Sequence, residues 1–314
     1  MRLYRIGSLC ALGMLALGAA QARAQLVFGT TSPTATNSAA MYFDVSTMQV
    51  TTLWNSAANK KVNGLAADPA SGRLYANDAA RLNYWNYNSI GTPPTFIAGM
   101  YRTNDNVTFT ATGVDGLAFA NGNLYASTKF GSTVYKRGIY QVSTTADNLS
   151  PPHCVMSPLW LDPTGVGTLS GTIALDGLDF NASDGLFYAA QGADTTGTGG
   201  SYTRGIYTVD AFGSGALTKI ASFPAGRTAI DGLAIGGGKI WLTEQEPGAS
   251  RIDIYPYDIA TGTYDATIYV PLTDATQRAS GAAWAPGAFV PEPVTSTMLA
   301  LFGLAALRRQ ARSR

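Results

Sequence analysis

Residues 114–126 read Val-Asp-Gly-Leu-Ala-Phe-Ala-Asn-Gly-Asn-Leu-Tyr-Ala, and the same phrase returns along the chain. It has three parts: an aliphatic residue with Asp-Gly-Leu, a glycine turn, and an aromatic-centred strand. An earlier copy is Val62-Asn63-Gly64-Leu65 with Gly72-Arg73-Leu74-Tyr75-Ala76. Later copies are Leu175-Asp176-Gly177-Leu178 with Gly185-Leu186-Phe187-Tyr188-Ala189, and Ile230-Asp231-Gly232-Leu233 with Gly238-Lys239-Ile240-Trp241-Leu242. Ala279-Ser280-Gly281-Ala282, running on to Trp284, is a degraded fifth. The motif glycines Gly64, Gly116, Gly177, Gly232 and Gly281 stand 52, 61, 55 and 49 residues apart. Periods of that length, with several short strands in each, are those of β-propeller blades.

Working outward, each unit has a second half that alternates large apolar and polar residues, as strands packed on one face do. Examples are Gly138-Ile139-Tyr140-Gln141-Val142, Gly205-Ile206-Tyr207-Thr208-Val209 and Ile252-Asp253-Ile254-Tyr255. Turn-rich stretches such as 211–215 and 260–262 follow, and then a fourth strand such as 216–223. The unit therefore reads as a four-stranded antiparallel meander with Asp-Gly-Leu on its innermost strand. Segments 26–31, 41–45 and 49–54 supply a second, third and fourth strand without a first, and 281–288 supplies the missing one. A blade built from both chain ends closes the ring and removes open sheet edges. The expectation is an all-β propeller of five blades. Six or seven would require further strands hidden in 77–99 and 147–170.

Innermost strands surround the axis of a propeller, so Asn63, Asp115, Asp176 and Asp231 fall at one register near one mouth. Four oxygen-bearing side chains there could hold Ca²⁺ or another hard cation. Equally, Asx-Gly is a favoured turn pair, because Asx side chains bond nearby backbone and glycine accepts unusual φ. The blades resemble those of gluconolactonase and strictosidine-synthase-like propellers, where an Asp-Gly turn carries a metal ligand. That resemblance implies Asp115, Asp176 and Asp231 as ligand candidates and a metal-dependent, lactonase-like hydrolase as the alternative function. It is confined to the short repeat and lacks an equivalent of that family's Glu and second Asn.

The two ends carry a different message. Arg2 and Arg5, an apolar stretch over 6–20 and Ala22-Arg23-Ala24 have the layout of a secretory signal peptide, with Gln25 as the mature start. At the other end Pro291-Glu292-Pro293 precedes an apolar run, 294–307, and Arg308, Arg309, Arg312 and Arg314. As a helix that run covers about 21 Å, short for a permanent span, and its basic end stays cytoplasmic. A simple tail anchor is one reading. The tripartite tail also resembles the PEP-CTERM sorting domain, whose members are exosortase substrates of Gram-negative bacteria that often make exopolysaccharide. That implies signal peptidase and exosortase as processing partners, transient insertion of the C-terminal segment, and cleavage near 291–293. The expected organisation is 1–24 signal peptide, 25–290 propeller and 291–314 sorting signal, with helices in both end segments.

Seven of the 21 basic residues lie in those ends, leaving 14 against 20 acidic residues and a net charge near −6. A mildly acidic body without a Lys/Arg cluster argues against nucleic acid. Cys10 leaves with the signal peptide, so Cys154 has no partner within the chain and could pair only between molecules. His153 beside it, after Pro151-Pro152, reads as a loop residue rather than as part of a metal site or triad, and no Gly-x-Ser-x-Gly elbow accompanies it. Gly197-Thr198-Gly199-Gly200 lacks the Lys-Ser/Thr ending of a phosphate loop. Tyr84, Trp85 and Tyr87, among Asn83, Asn86 and Asn88, read as an exposed loop whose rings either stack on sugars or pack on their own blade. The expected role is a non-enzymatic envelope or matrix module presenting a face to protein or glycan.

Overall fold

The computed structural model describes residues 25–31, 38–56, 62–78, 81–87, 93–103, 108–109, 114–128, 137–162, 173–192, 194–197, 200–245, 250–272 and 278–286. Ala24–Ala288 forms one compact unit, and Met1–Arg23 with Phe289–Arg314 the other. The expected end helices and the sorting residues Pro291, Glu292, Pro293, Arg308 and Arg309 lie outside the described residues, among which every regular element is a strand.

The strands form five blades around a ring. The first contains β1 (Gln25–Thr31), β2 (Ser38–Asp44) and β3 (Gln49–Ser56), with the last strand, β25 (Arg278–Trp284), on the inner side of β1. Leu26 pairs with Trp284 and Gly29 with Gly281, so the two ends of the compact unit close the ring as neighbouring antiparallel strands. The second blade is β4 (Gly64–Asp68), β5 (Arg73–Asp78), β6 (Arg81–Asn86) and β7 (Thr95–Ala98). The third is β10 (Val114–Ala120), β11 (Asn123–Thr128), β12 (Gly138–Ala146) and β13 (His153–Leu161), and it carries an outer addition, β8 (Met100–Thr103) and β9 (Thr108–Phe109). β8 lies parallel to β13, pairing His153 with Met100.

In the fourth blade the order is β14 (Leu175–Asn181), β15 (Leu186–Gln191), β18 (Gly205–Val209) and β19 (Leu217–Ala221), with a separate hairpin of β16 (Thr195–Gly197) and β17 (Gly200–Tyr202) between the second and third strands. The fifth is β20 (Ile230–Gly236), β21 (Lys239–Gln245) and β22 (Arg251–Asp258), whose outer side is shared by β23 (Thr263–Tyr264) and β24 (Ile268–Pro271). The long stretches 77–99 and 147–170, which could have hidden extra blades, instead supply β6, β7 and β13 to the five.

Position in the blade decides the burial pattern. Inner and middle strands are covered on both faces by neighbouring blades, so β18 is buried along its whole length; β19, at the rim, alternates half-buried and exposed. The core accordingly consists of wedges between blades. One joins Tyr75 and Leu82 to Leu117 and Tyr140; others join Tyr125 and Ile139 to Phe187, Tyr188 to Leu233 and Tyr255, and Phe28 and Phe43 to Trp241 and Ile254. The aromatic residue of the repeated phrase is what fills each wedge. Tyr75 stacks on Phe119 at 6.0 Å, Tyr125 meets Phe187 edge-on at 5.2 Å, and Trp241 stacks on Trp284 at 5.5 Å. Each such buried ring contributes about 1.5–3 kcal/mol.

Two expectations change here. His153 and Cys154 open strand β13 and are buried, rather than lying in a loop. The ladder to β8 turns this segment from a Pro-rich connection into an interior strand. Tyr84 and Trp85 are likewise in β6, and Trp85 is buried, 5.7 Å from Trp54 of the first blade.

Candidate functional site at the ring mouth

At the Asx-Gly end the inner strands of four blades share one irregularity. Leu175 pairs with Gln191 but Gly177 with Ala190, and Ile230 with Glu244 but Gly232 with Thr243. Asp176 and Asp231 are therefore the extra residues of β-bulges. Ser280 occupies the same place between Ala279 and Gly281, and the third blade shifts between Val114 and Leu117, across Asp115. A bulge bends the strand and increases its twist, which re-aims the side chain it carries.

The glycine of each repeated phrase is required by proximity. A Cβ on Gly64 would lie 2.6 Å from the Asp115 carbonyl oxygen; on Gly116, 2.7 Å from the Leu178 nitrogen; on Gly177, 2.8 Å from the Leu233 nitrogen; and on Gly232, 2.9 Å from the Gly281 carbonyl carbon. One on Gly281 would strike Asn63, so the contacts run once around the ring and close.

Polar side chains from the second strands, and Ser280 from the inner strand β25, fasten this end. Asn77 Nδ2 donates to the Val114 carbonyl at 2.6 Å and Ser127 Oγ to that of Leu175 at 2.8 Å, each reaching the next blade; Ser280 Oγ donates to the Val62 carbonyl. Gln191 Oε1 accepts from the Ala174 amide at 2.6 Å and Glu244 Oε1 from that of Ala229 at 3.0 Å. All except Ser280 are buried, where satisfied polar groups add specificity.

Asn63, Asp115, Asp176 and Asp231 all line one narrow recess on the axis, so the structure gathers the four predicted residues. Leu65, Leu117, Leu178 and Leu233 line it too, with Ala282 in the fifth place, and nowhere in it is there room for a water molecule. The close approach of glycine backbones turns the expected channel into a constriction, walled by the Asx residues and the leucines together. Asp176 Oδ2 accepts the Gly192 amide at 2.9 Å. Buried Arg137 is held by its own bond to the Ile173 carbonyl, 3.1 Å from Nη1. Burial lowers the Arg137 pKa, and the charges of Asp162 and Asp176 work the other way.

Ca²⁺ requires six to eight oxygens at 2.3–2.6 Å. Among the described residues no three His, Cys, Asp or Glu side chains stand together as a metal would need. As placed, the four mouth residues do not make that donor set.

No protein-family model matches the chain, and no curated protein matches it. Solved structures do. A chain from a crystal structure of a nidogen/laminin complex aligns with 84% of this chain and 99% of its own, at 14% identity and a TM-score of 0.51. A protein of unknown function from Bacteroides caccae covers 84% and 99% at 11% identity and TM-score 0.46, and TolB from Acinetobacter baumannii 84% and 67% at 14% and 0.42. The first likeness shows the fold.

Sequence reasoning missed two polar centres. Arg137 carried no motif that would link it to Asp176. In the fifth blade Glu244 and Asp253 pair across β21 and β22; Tyr255 Oη lies 3.0 Å from Glu244 Oε2 and 3.3 Å from Asp253 Oδ2. Arg227 is 3.8 Å from both carboxylates, and Arg251 Nε donates to Asp253 at 2.7 Å. Like charges directly opposite on paired strands oppose folding, and the two arginines offset them. Both carboxylates are buried, as is Tyr255, so the group fastens the blade instead of offering a surface. Cys154 is fully buried beneath its strand, and burial pushes its thiol up to about 12.

Proposed function

We propose that this protein is exported to the cell envelope or exterior of a Gram-negative bacterium, is sorted through its C-terminal tag, and acts there as a binding or structural module. The observation that supports delivery through the ends is where the compact body stops. Ala24–Ala288 contains every described strand, while the signal-like start and the Pro-Glu-Pro, apolar and arginine tail fall in the other unit. Both can be removed without taking a strand from the ring. Signal peptidase would cut before Gln25, and an exosortase near Pro291-Glu292-Pro293 with Arg308 and Arg309 as its stop.

A propeller with a filled axis and an acidic, weakly charged exterior suits contact with protein or extracellular glycan. The lactonase-like alternative would draw its chemistry from a mouth cation, so calorimetry with Ca²⁺ separates the two: the module reading expects neither binding heat nor a rise in Tm. The tag itself is tested by fractionation. Replacing Pro291 and Pro293 by Ala, or Arg308 and Arg309 by Gln, is expected to trap the protein unprocessed or misplace it; normal processing and location of both variants would refute the proposal.

A further inference from the structure

Each blade is an up-and-down meander, so its first-to-second and third-to-fourth turns share one face, opposite the Asx-Gly mouth. β25 ends on that turn face and β1 begins there, since Leu26 pairs with Trp284. The chain beyond β25 must leave from it. Nine residues, 285–293, separate Trp284 from the apolar run that starts at Val294. Fully extended they span about 30 Å, well short of the diameter of about 47 Å of a sphere with the radius of gyration, about 18 Å, expected for a body of this length. A leash that short cannot pass around the body to let the mouth face the bilayer.

The turn face also carries apolar tips. Met48 (53% exposed) and Leu149 (52%) lie in the turns 45–48 and 147–152, and Phe212 (44%), in 210–216, packs against Tyr125, Phe180 and Phe187 and leaves the rest of its ring exposed; the other large apolar residues exposed among the described ones, Phe96, Ile220 and Tyr269, are within strands. Met48 occupies the left-handed region, φ 57°, in a turn whose counterpart in the fifth blade uses Gly262 at φ 70°. Both turns are closed alike, by the Met48 amide on the Asp44 carbonyl and the Gly262 amide on that of Asp258. A side chain that strains its backbone and remains exposed is not there for packing. No Lys or Arg occurs in these three turns, so attraction to acidic headgroups is not what they offer.

Resting on the sorting reading above, we infer that while the tail is in the membrane the propeller lies with its turn face against the lipid surface, through Met48, Leu149 and Phe212, and presents the Asx-Gly mouth outward. The occupant of this face is the bilayer interface, entered by apolar tips.

The test uses the full-length protein with its tail intact, from a host lacking exosortase, in phosphatidylcholine vesicles containing a headgroup nitroxide. Environment-sensitive fluorophores are placed by Thr47→Cys and Ala182→Cys on the turn face and by Ala225→Cys and Arg278→Cys at the mouth end; native Cys154 is buried. Floated protein is expected to show several-fold stronger quenching at the turn-face sites. Met48→Ser and Leu149→Ser together, which leave the packed ring of Phe212 in place, are expected to reduce that quenching while the floated fraction stays unchanged. Equal or stronger quenching at the mouth, or none at either end, would overturn the orientation. Protein that does not float at all would remove the tail reading with it, an outcome distinct from floating in the wrong orientation.

Discussion

Gly177 and Gly185 belong to one blade and are glycines for different reasons. Gly177 faces the backbone of the next blade, where a Cβ would meet the Leu233 nitrogen; Gly185 has open space around it and a φ of 76°. Gly177→Ala must push two inner strands apart and is expected to cost about 2–4 kcal/mol. Gly185→Ala should cost only the left-handed backbone, about 1–2 kcal/mol. Urea denaturation of the two variants checks this, and equal losses would mean that the ring is not as tight as described. The sequence showed both glycines repeating but could not separate the roles, because proximity to a neighbouring blade is invisible in a local string. The Asx-Gly pair is legible in the sequence as a recurring feature and ambiguous there between a turn and a ligand; the close approach of each motif glycine to the next blade is what every copy shares.

Asp179 departs from its own repeat, since the corresponding residues are Ala66, Ala118, Ala234 and Ala283. Its Oδ2 accepts the Ile235 amide of the next blade at 2.7 Å and its Oδ1 the Phe180 amide at 2.8 Å. Burial pushes this carboxyl up to about 7, the two amides working in the opposite direction. The folded chain therefore holds a proton that the unfolded chain releases near pH 4. Stability from this group is fully present below that pH and is lost as pH rises through about 7. Asp179→Asn keeps an acceptor without the charge. It is expected to raise stability by about 2 kcal/mol at pH 8, allowing for the part-exposure of the residue, and to change little at pH 3.5. Thermal melts across that range would contradict the assignment if the difference between variant and parent did not grow with pH.

At the scale of the element, the legible strands were those inside the repeated phrase, where glycine turns and alternating residues mark both ends. β13 was not, because Pro151-Pro152 ahead of it and Pro158 within it speak against a strand locally. It is held by partners on both sides, β12 and the parallel strand β8. β8 itself follows the second blade in sequence and joins the third, a transfer that no local pattern encodes. One consequence concerns Cys154. With its thiol buried and its ionisation suppressed, native protein is expected to resist maleimide for hours and to form no intermolecular disulfide, reacting within minutes once unfolded in urea. Prompt labelling of the native protein would put Cys154 at the surface and undo the placement of β13.

For the whole molecule, five repeat glycines predicted five blades, and the incomplete first and last segments predicted their union. Both were readable because a closed ring demands the same inner strand from every blade. The constriction on the axis was not readable: how near the inner strands approach depends on bulges and glycines acting together. The same closure places the start of β1 and the end of β25 side by side on one face of the ring. The central claim is that the folded ring is what remains after both ends have been processed. Intact mass spectrometry of the protein from hosts with and without exosortase tests it most directly. The expected result is a chain starting at Gln25 in both, ending within 291–293 only where the enzyme is present and at Arg314 where it is absent; a tail intact to Arg314 in both hosts would contradict the account.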